Sequence, residues 1–405
     1  MPHREVRRAL VLAAPFLLLA LLTKLPSLGF KHSEPDEVIY WTVAQHLGEY
    51  GNYSLRGAPF MHKLPRQMYD RPLFHHPPLY PALLVPFAKR ELRSEAIVIS
   101  WFGHCLAIVA VALIGVRLHA RFGQGTPRLA ALALPLLGIT LDPVLVHVAR
   151  KLWIDALVGG LAALAVALTL VALARERRRP AWLVAAGIVL GLAGLAKLPG
   201  LLVAPICALL VLAHSAPWRT RCGYLVCVAA PALLVVAPWF WVFFASYGTL
   251  LPNFAAPSAE LAARFPMVAA SIAKPWHFYA TKLAVVQPLL VVGVAGFAWK
   301  RPRGERRSVE SWALFAWLAL LIACWTYLGA TSFSFQMRYL TPLAPALYLL
   351  PLALPAWYRS PSAFRFRSAA ALAIAWATLG AVPYLINGRP DEFVSFAEAI
   401  GLVRF

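Results

Sequence analysis

Long apolar stretches alternate with short polar connections along most of the 405-residue chain. Runs long enough to cross a bilayer recur from the N-terminus to about residue 386. The pattern predicts an all-α polytopic membrane protein with about eleven transmembrane helices. The fifth and sixth helices are short for a bilayer, which suggests a hairpin lining a cavity. The predicted spans are 9–28, 96–117, 127–146, 152–174, 181–196, 198–213, 223–246, 276–299, 311–330, 339–357 and 368–386.

The composition supports this class of protein. Hydrophobic residues make up 60% of the chain and charged residues 14%, whereas a soluble domain has about 25% charged residues. Soluble globular, disordered and disulfide-scaffold proteins are therefore excluded. The five cysteines lie in or beside apolar runs without CxxC spacing, which indicates buried thiols.

The net charge of +21 has a topological explanation. In a soluble protein such a charge would suggest a nucleic-acid partner, but membrane proteins concentrate Lys and Arg on the cytoplasmic side. The basic clusters here fall at alternate ends of the predicted spans. We therefore expect no nucleic-acid partner, a cytoplasmic N-terminus and a multi-pass protein of the bacterial inner membrane.

The spans and loops predict one membrane domain, residues 1–386, followed by a short extracytoplasmic tail, 387–405. Two connections on the predicted outer side are long, the first at 29–95 and the second at 247–275. Loops longer than about 15 residues in a compact protein usually carry function. The outer side is therefore where we expect the chemistry.

The first outer loop opens with two adjacent acids, Asp36 and Glu37. They begin a predicted amphipathic helix, Asp36–Tyr50, that would lie on the membrane surface. Its apolar stripe would include Val38, Trp41, Ala44 or Gln45, and Leu47 or Gly48. One interpretation is that both acids stabilise the N-terminus of this helix. The other is that they act on a substrate at the membrane boundary.

A second polar segment in the same loop carries cations. Arg71, His75 and His76 precede a predicted interfacial helix, Leu79–Arg90. The histidine pair could bind a metal ion or a phosphate. Because adjacent side chains point in different directions on most backbones, a metal shared by both histidines is doubtful.

Three more charged residues lie at predicted outer span ends. Asp155 is a functional candidate because a carboxylate at the edge of a span is costly to bury, although Arg150 or Lys151 could pair with it one turn earlier. Lys197 and Arg338 could extend harmlessly to the interface or bind an anionic headgroup. Both alternatives remain open at this stage.

Four local patterns resemble the GT-C superfamily of polytopic membrane glycosyltransferases, in the branch of protein O-mannosyltransferases and lipid A aminoarabinose transferases. The first is an acidic pair followed by Tyr and Ala, and the second is a PPLYP run. An Asp at the start of a span and an RYLxPxxP run complete the likeness. The residues are Asp36, Glu37, Tyr40 and Ala44, then Pro77–Pro81, Asp155, and Arg338–Pro345.

This resemblance implies an inverting transfer of a sugar from a polyprenyl-phosphate donor in the membrane. Asp36 would be the catalytic base, with Glu37 assisting or orienting it and Asp155 as a supporting acid. The donor phosphate would be bound by Arg71, His76, Lys197 and Arg338. The acceptor would be extracytoplasmic: lipid A, another envelope glycan or a protein.

The chain also departs from the family pattern. His76 stands where related aminoarabinose transferases carry Lys, and Leu198 follows Lys197 where Gly is common. A divalent metal is left open, with Glu37, His75 and His76 as candidate ligands. Two other functions compete with this one: a transporter or flippase of lipid-linked sugars, and a non-catalytic scaffold. Against the first, the chain shows no related halves.

Overall fold

The computed structural model describes residues 2–56, 58, 76–122, 129–175, 179–250, 259–260, 263–264, 274–298, 308–331, 336–354, 357 and 361–382. Within these ranges all regular structure is helical, as predicted. The α-helices are α1 Pro2–Leu22, α2 Pro35–Tyr50, α3 Leu79–Ala88, α4 Val98–Phe122, α5 Leu129–Thr140, α6 Pro143–Ala149, α7 Asp155–Leu173, α8 Arg179–Ala196, α9 Ala204–Leu212, α10 Trp218–Tyr247, α11 Phe278–Val286, α12 Leu289–Ala298, α13 Val309–Thr331, α14 Ala344–Leu349 and α15 Pro361–Leu379. Short 3₁₀ helices occur at Leu25–Gly29, Glu95–Ile97, Leu198–Val203, Met337–Leu343 and Pro351–Ala353.

The number of continuous spans is smaller than predicted. Six helices in the described part of the chain are long and apolar enough to cross a bilayer, or eight if each of two bent pairs counts as one span. α5 and α6 meet at 43°, and α11 and α12 meet at 104°. Pro143 is the first residue of α6, and Pro288 lies between α11 and α12. Proline interrupts a helix because it has no backbone N–H to donate to the preceding turn. Helix lies at each predicted span, but the count of eleven is not confirmed.

Two further predicted spans are interrupted. The region 198–213 forms a 3₁₀ turn and then α9, which together make a short apolar helix. The region 339–357 contains 3₁₀ helix on both sides of α14 rather than one continuous helix. Irregular backbone of this kind is tolerated at membrane depth where it is buried in protein.

The centre of the bundle is a close crossing of α4 and α7. A Cβ atom added to Gly103 would lie 2.4 Å from the Leu157 backbone, and one added to Gly160 would lie 2.0 Å from the Gly103 carbonyl oxygen. Glycines permit this approach because membrane helices associate through close van der Waals contact. The crossing fixes the first turns of α7, where Asp155 lies.

Helix α2 begins where its sequence provides a cap. Glu34 occupies the N-cap, Pro35 the first helical position, and Glu37 completes a capping box with Glu34. Gly51 ends the helix with φ of 63°, a conformation that favours glycine. α2 therefore starts one residue before the predicted Asp36 and ends at the predicted Tyr50.

The predicted apolar stripe of α2 agrees with the burial only in part. Trp41 and Ala44 are buried as expected, whereas Val38 and Leu47 are only half-buried. The buried residues lie on two sides, with Tyr40, Trp41 and Ala44 in the main core and Ile39 and Val43 in a second cluster. Protein thus covers α2 on two faces. α3 ends two residues before the predicted Arg90.

The predicted domain limits stay predictions. The tail at 387–405 lies outside the described residues, as does most of the second outer loop at 247–275. The described part of the first outer loop consists of α2, α3 and the segments beside them.

Candidate active site

An ion pair joins two candidate residues that are about 300 positions apart in sequence. Arg338 Nη1 lies 2.5 Å from Asp36 Oδ2. Asp36 is in the first turn of α2, and Arg338 is in the 3₁₀ helix Met337–Leu343. The Asp36 side chain is 31% exposed and that of Arg338 12%, so the pair sits at an accessible edge of the core.

A second ion pair lies beside the first. Lys197 Nζ donates to Asp155 Oδ1 at 2.9 Å. Lys197 is in extended conformation between α8 and the next 3₁₀ helix, which directs it to the N-terminus of α7. Thr341, from the same 3₁₀ helix as Arg338, donates to the Asp155 carbonyl oxygen at 3.0 Å. The two pairs are therefore linked through one short segment of backbone.

The alternative partners considered for Asp155 have other contacts. The Arg150 guanidinium lies over the Phe30 ring at 5.1 Å. Lys151 Nζ lies 2.7 Å from Glu34 Oε1, at the N-cap of α2. The structure thus rules out the pairing of Asp155 one turn earlier in the chain, and it ties Lys151 to the helix that carries Asp36.

Aromatic rings that the sequence analysis missed hold the cations in place. Tyr339 lies 4.5 Å from Lys197 Nζ and 5.4 Å from the Arg338 guanidinium carbon. Trp153 lies 4.4 Å from the Arg338 guanidinium carbon and 4.3 Å from Lys151 Nζ. Cation–π contacts restrict these side chains without neutralising them. Their sequence signal was adjacency, since each ring is next to, or two residues from, a charged residue.

Glu37 faces away from this accessible edge. Its side chain is fully buried, with Oε1 2.9 Å from His32 Nδ1 and accepting from the Leu152 amide at 2.8 Å. Oε2 accepts from the Glu34 amide at 3.1 Å. These contacts suit a positioning role that anchors α2 to the segment before α7. Of the two expected roles of Glu37, they favour orienting Asp36 over assisting proton transfer.

His76 packs beside α2. Its Nε2 lies 3.4 Å from the Tyr40 hydroxyl, and the two rings meet edge to face. Burial raises the pKa of Tyr40, and the nearby Asp36 raises it further, so this hydroxyl stays neutral. Arg71 and His75 lie outside the described residues.

The predicted metal candidates do not form a cluster in the described part of the chain. There, no group of three His, Cys, Asp or Glu side chains is arranged to hold a metal ion. Glu37 directs both carboxylate oxygens to hydrogen-bond donors of the protein. The candidate His75 lies outside the described residues.

The four charged side chains of the two ion pairs have no net charge. Two carboxylates, Asp36 and Asp155, face two cations, Arg338 and Lys197. Burial is the largest single influence on the pKa of Arg338 and lowers it. The neighbouring acidic groups, of which Asp36 contributes most, together outweigh burial, so the pKa of Arg338 lies well above its ordinary value. An anionic group that enters here would compete with the carboxylates for the cations. Asp36 would then be released beside it.

Comparison with known proteins gives one family-model match and several structural matches. Residues 75–241 match the family model of dolichyl-phosphate-mannose-protein mannosyltransferases. No curated protein matches the sequence. Among solved structures, the chain is similar to ArnT from Cupriavidus metallidurans bound to undecaprenyl phosphate, with a TM-score of 0.60 and 18% identity, covering 93% of this chain and 66% of that one.

A second match is an archaeal enzyme. The Archaeoglobus fulgidus oligosaccharyltransferase, in complex with Zn and sulfate, gives a TM-score of 0.52 and 18% identity, covering 95% of this chain and 53% of that one. The chain thus spans about two thirds of one relative and half of the other. These matches confirm the predicted resemblance to GT-C glycosyltransferases, and the chain is a multi-pass membrane protein with that fold.

Proposed function

We propose that this protein transfers a sugar from a polyprenyl-phosphate donor to an extracytoplasmic acceptor, with inversion at the anomeric carbon. The observation that carries the proposal is the Asp36–Arg338 pair at an accessible edge, next to the Lys197–Asp155 pair. The family match and the undecaprenyl phosphate bound to ArnT support it. The acceptor is lipid A, another envelope glycan or a protein, and the sugar is a hexose or a pentose.

In this reaction Asp36 accepts the proton of the acceptor hydroxyl while that oxygen attacks the anomeric carbon. The bond from this carbon to the phosphate oxygen breaks, and the lipid phosphate leaves with the electron pair. Because the leaving group is already a phosphate, positive charge at its oxygens helps more than an added proton. Arg338 and Lys197 supply that charge.

The two ion pairs suggest how the donor prepares the base. A donor phosphate that binds Arg338 takes this guanidinium from Asp36, and one that binds Lys197 does the same to Asp155. The Asp36 carboxylate is then available to the acceptor hydroxyl. The proton that Asp36 gains compensates the negative charge that the phosphate gains, so the net charge of the occupied site is unchanged by the transfer.

The other candidates take secondary roles in the proposal. Glu37 fixes the position of α2, and Asp155 orients Lys197. His76 and Arg71 remain candidate contacts of the donor phosphate, and the outer loops contact the acceptor. A metal ion, if used, would involve His75 or His76.

The test measures transfer by the purified protein in lipid vesicles, with a radiolabelled polyprenyl-phosphate sugar and an extract of envelope acceptors. Asp36→Asn should fold and lose about 10²- to 10⁴-fold in rate, the usual contribution of a general base. Glu49→Gln, on the exposed far end of α2, is the matched control and should retain activity. Full activity of Asp36→Asn would eliminate the proposed base. Movement of labelled lipid across the vesicle without covalent product would instead favour a flippase.

A further inference from the structure

A cavity of about 470 Å³ opens between α1 and α8, at the end of the bundle opposite the candidate active site. α7 begins at Asp155 and runs for 19 residues, so Arg175 lies about 30 Å from Asp155 along the helix axis. The cavity is therefore separate from the proposed chemistry. Its walls include Arg7, Leu10, Val11, Ala14, Arg175 and Trp182.

Arg175 is the polar centre of this cavity. It is only 3% exposed, and its guanidinium lies over the Trp182 ring at 3.9 Å. Its Nε and Nη2 have no hydrogen-bond partner within the described residues. Glu5, on α1, attracts Arg175 electrostatically but does not accept these hydrogen bonds. Buried donors without partners are costly, and an added acceptor would remove that cost.

The rest of the cavity is suited to hydrocarbon. Leu10 and Val11 are 47% and 64% exposed on the outer surface of α1. This helix has the length and hydropathy of a membrane span, so the exposed side chains are suited to contact lipid. Arg7 supplies a second guanidinium at the rim, one turn from Val11. The cavity thus combines an apolar wall with two guanidinium groups, from Arg7 and Arg175.

We propose that this cavity binds the phosphate of an anionic phospholipid, with an acyl chain along Leu10 and Val11. A free phosphate ion would satisfy Arg175 but leave the apolar wall uncovered. The cavity lies at the end of the bundle that carries the basic clusters, and anionic lipids attract basic residues on the cytoplasmic leaflet. The volume is within the range of small-molecule sites, about 300–1,000 Å³.

The experiment counts bound lipid by native mass spectrometry of the detergent-purified protein and measures thermal unfolding in parallel. Phosphatidylglycerol, phosphatidylcholine and inorganic phosphate are titrated separately. We expect saturable binding of phosphatidylglycerol with a rise in melting temperature, and weaker effects from the other two. Arg175→Gln should weaken phosphatidylglycerol binding about tenfold or more, as expected for loss of a charged hydrogen bond. Arg8→Gln, which removes an exposed charge on α1 next to the cavity residue Arg7, should not.

A second variant keeps the proposal testable if Arg175→Gln does not fold. Ala14 is exposed in the cavity wall, so Ala14→Trp fills the acyl-chain path and keeps both guanidiniums. It should weaken phosphatidylglycerol but not inorganic phosphate. Equal binding of phosphatidylglycerol by wild type and Ala14→Trp would overturn the proposal, as would an equal response to phosphatidylcholine. Stabilisation by inorganic phosphate as strong as that by phosphatidylglycerol would identify a free-anion site instead.

Discussion

Replacing Arg338 with Met tests the proposed phosphate contact directly. The substitution keeps an unbranched side chain between Trp153 and Tyr339 and removes the guanidinium that pairs with Asp36. A hydrogen bond to a charged group contributes about 1.5–3 kcal/mol. Losing it in the transition state lowers kcat/KM by about 10- to 150-fold.

The same change should have little effect on folding. The Asp36 side chain is 31% exposed, so water can hydrate the carboxylate that loses its partner. We therefore expect the melting temperature to fall by a few degrees at most, with kcat/KM reduced far more than stability.

The assay compares initial rates of sugar transfer over a range of donor concentrations in vesicles, together with melting temperatures in detergent. Arg338→Lys should fall between wild type and Arg338→Met, because Lys keeps the charge but loses the planar fork and its aromatic stacking. Arg90→Met, an exposed cation after α3, is the control. If Arg338→Met transfers sugar at the wild-type rate while Asp36→Asn is inactive, the reasoning on the phosphate contact is refuted.

Three further variants test other contacts. Asp155→Asn should raise KM for the donor more than it lowers kcat, because Lys197 loses its orienting partner, and a donor titration measures this. Glu37→Ala should lower the free energy of unfolding by about 2–5 kcal/mol, since buried donors are left unpaired, and an unchanged melting temperature would contradict it. Gly103→Ala should reduce the folded yield in size-exclusion chromatography, because its Cβ would meet the α7 backbone, whereas Gly223→Ala, with open space around it, should not.

The helical class and the positions of the helices follow from hydropathy alone, because hydrocarbon-length apolar runs leave few alternatives. The breaks within spans do not follow as easily. Prolines such as Pro143 and Pro288 indicate an interruption, but the bend at each depends on what packs there. At the first break, Asp142 accepts from the Leu145 amide and the Tyr348 hydroxyl and contacts Gln287. The Leu145 contact is a local N-cap that the sequence could suggest, but Gln287 and Tyr348 are too distant in sequence to be identified by pattern.

The individual candidates were easier to recognise than their pairing. Asp36, Asp155, Lys197 and Arg338 each stand out as charges at span ends, but nothing in the spacing predicts which acid faces which cation. The family resemblance implies that Glu37 assists or orients Asp36, and its place three residues after Glu34 also fits a capping box. The spacing between Glu34 and Glu37 could therefore have predicted a structural position for Glu37.

Two hydrogen bonds from Tyr53, just beyond the C-terminal end of α2, hold this part of the first outer loop in a fixed position. The Tyr53 hydroxyl donates to the carbonyl oxygens of His76 at 2.8 Å and Pro77 at 3.1 Å, which brings together the two ends of the intervening loop. Lengthening a loop whose ends are already joined costs little, about 0.6 kcal/mol for each doubling. Changes of length between residues 59 and 70, which leave Arg71 and His75 in place, should therefore cost little while Asp36 keeps its register against Arg338.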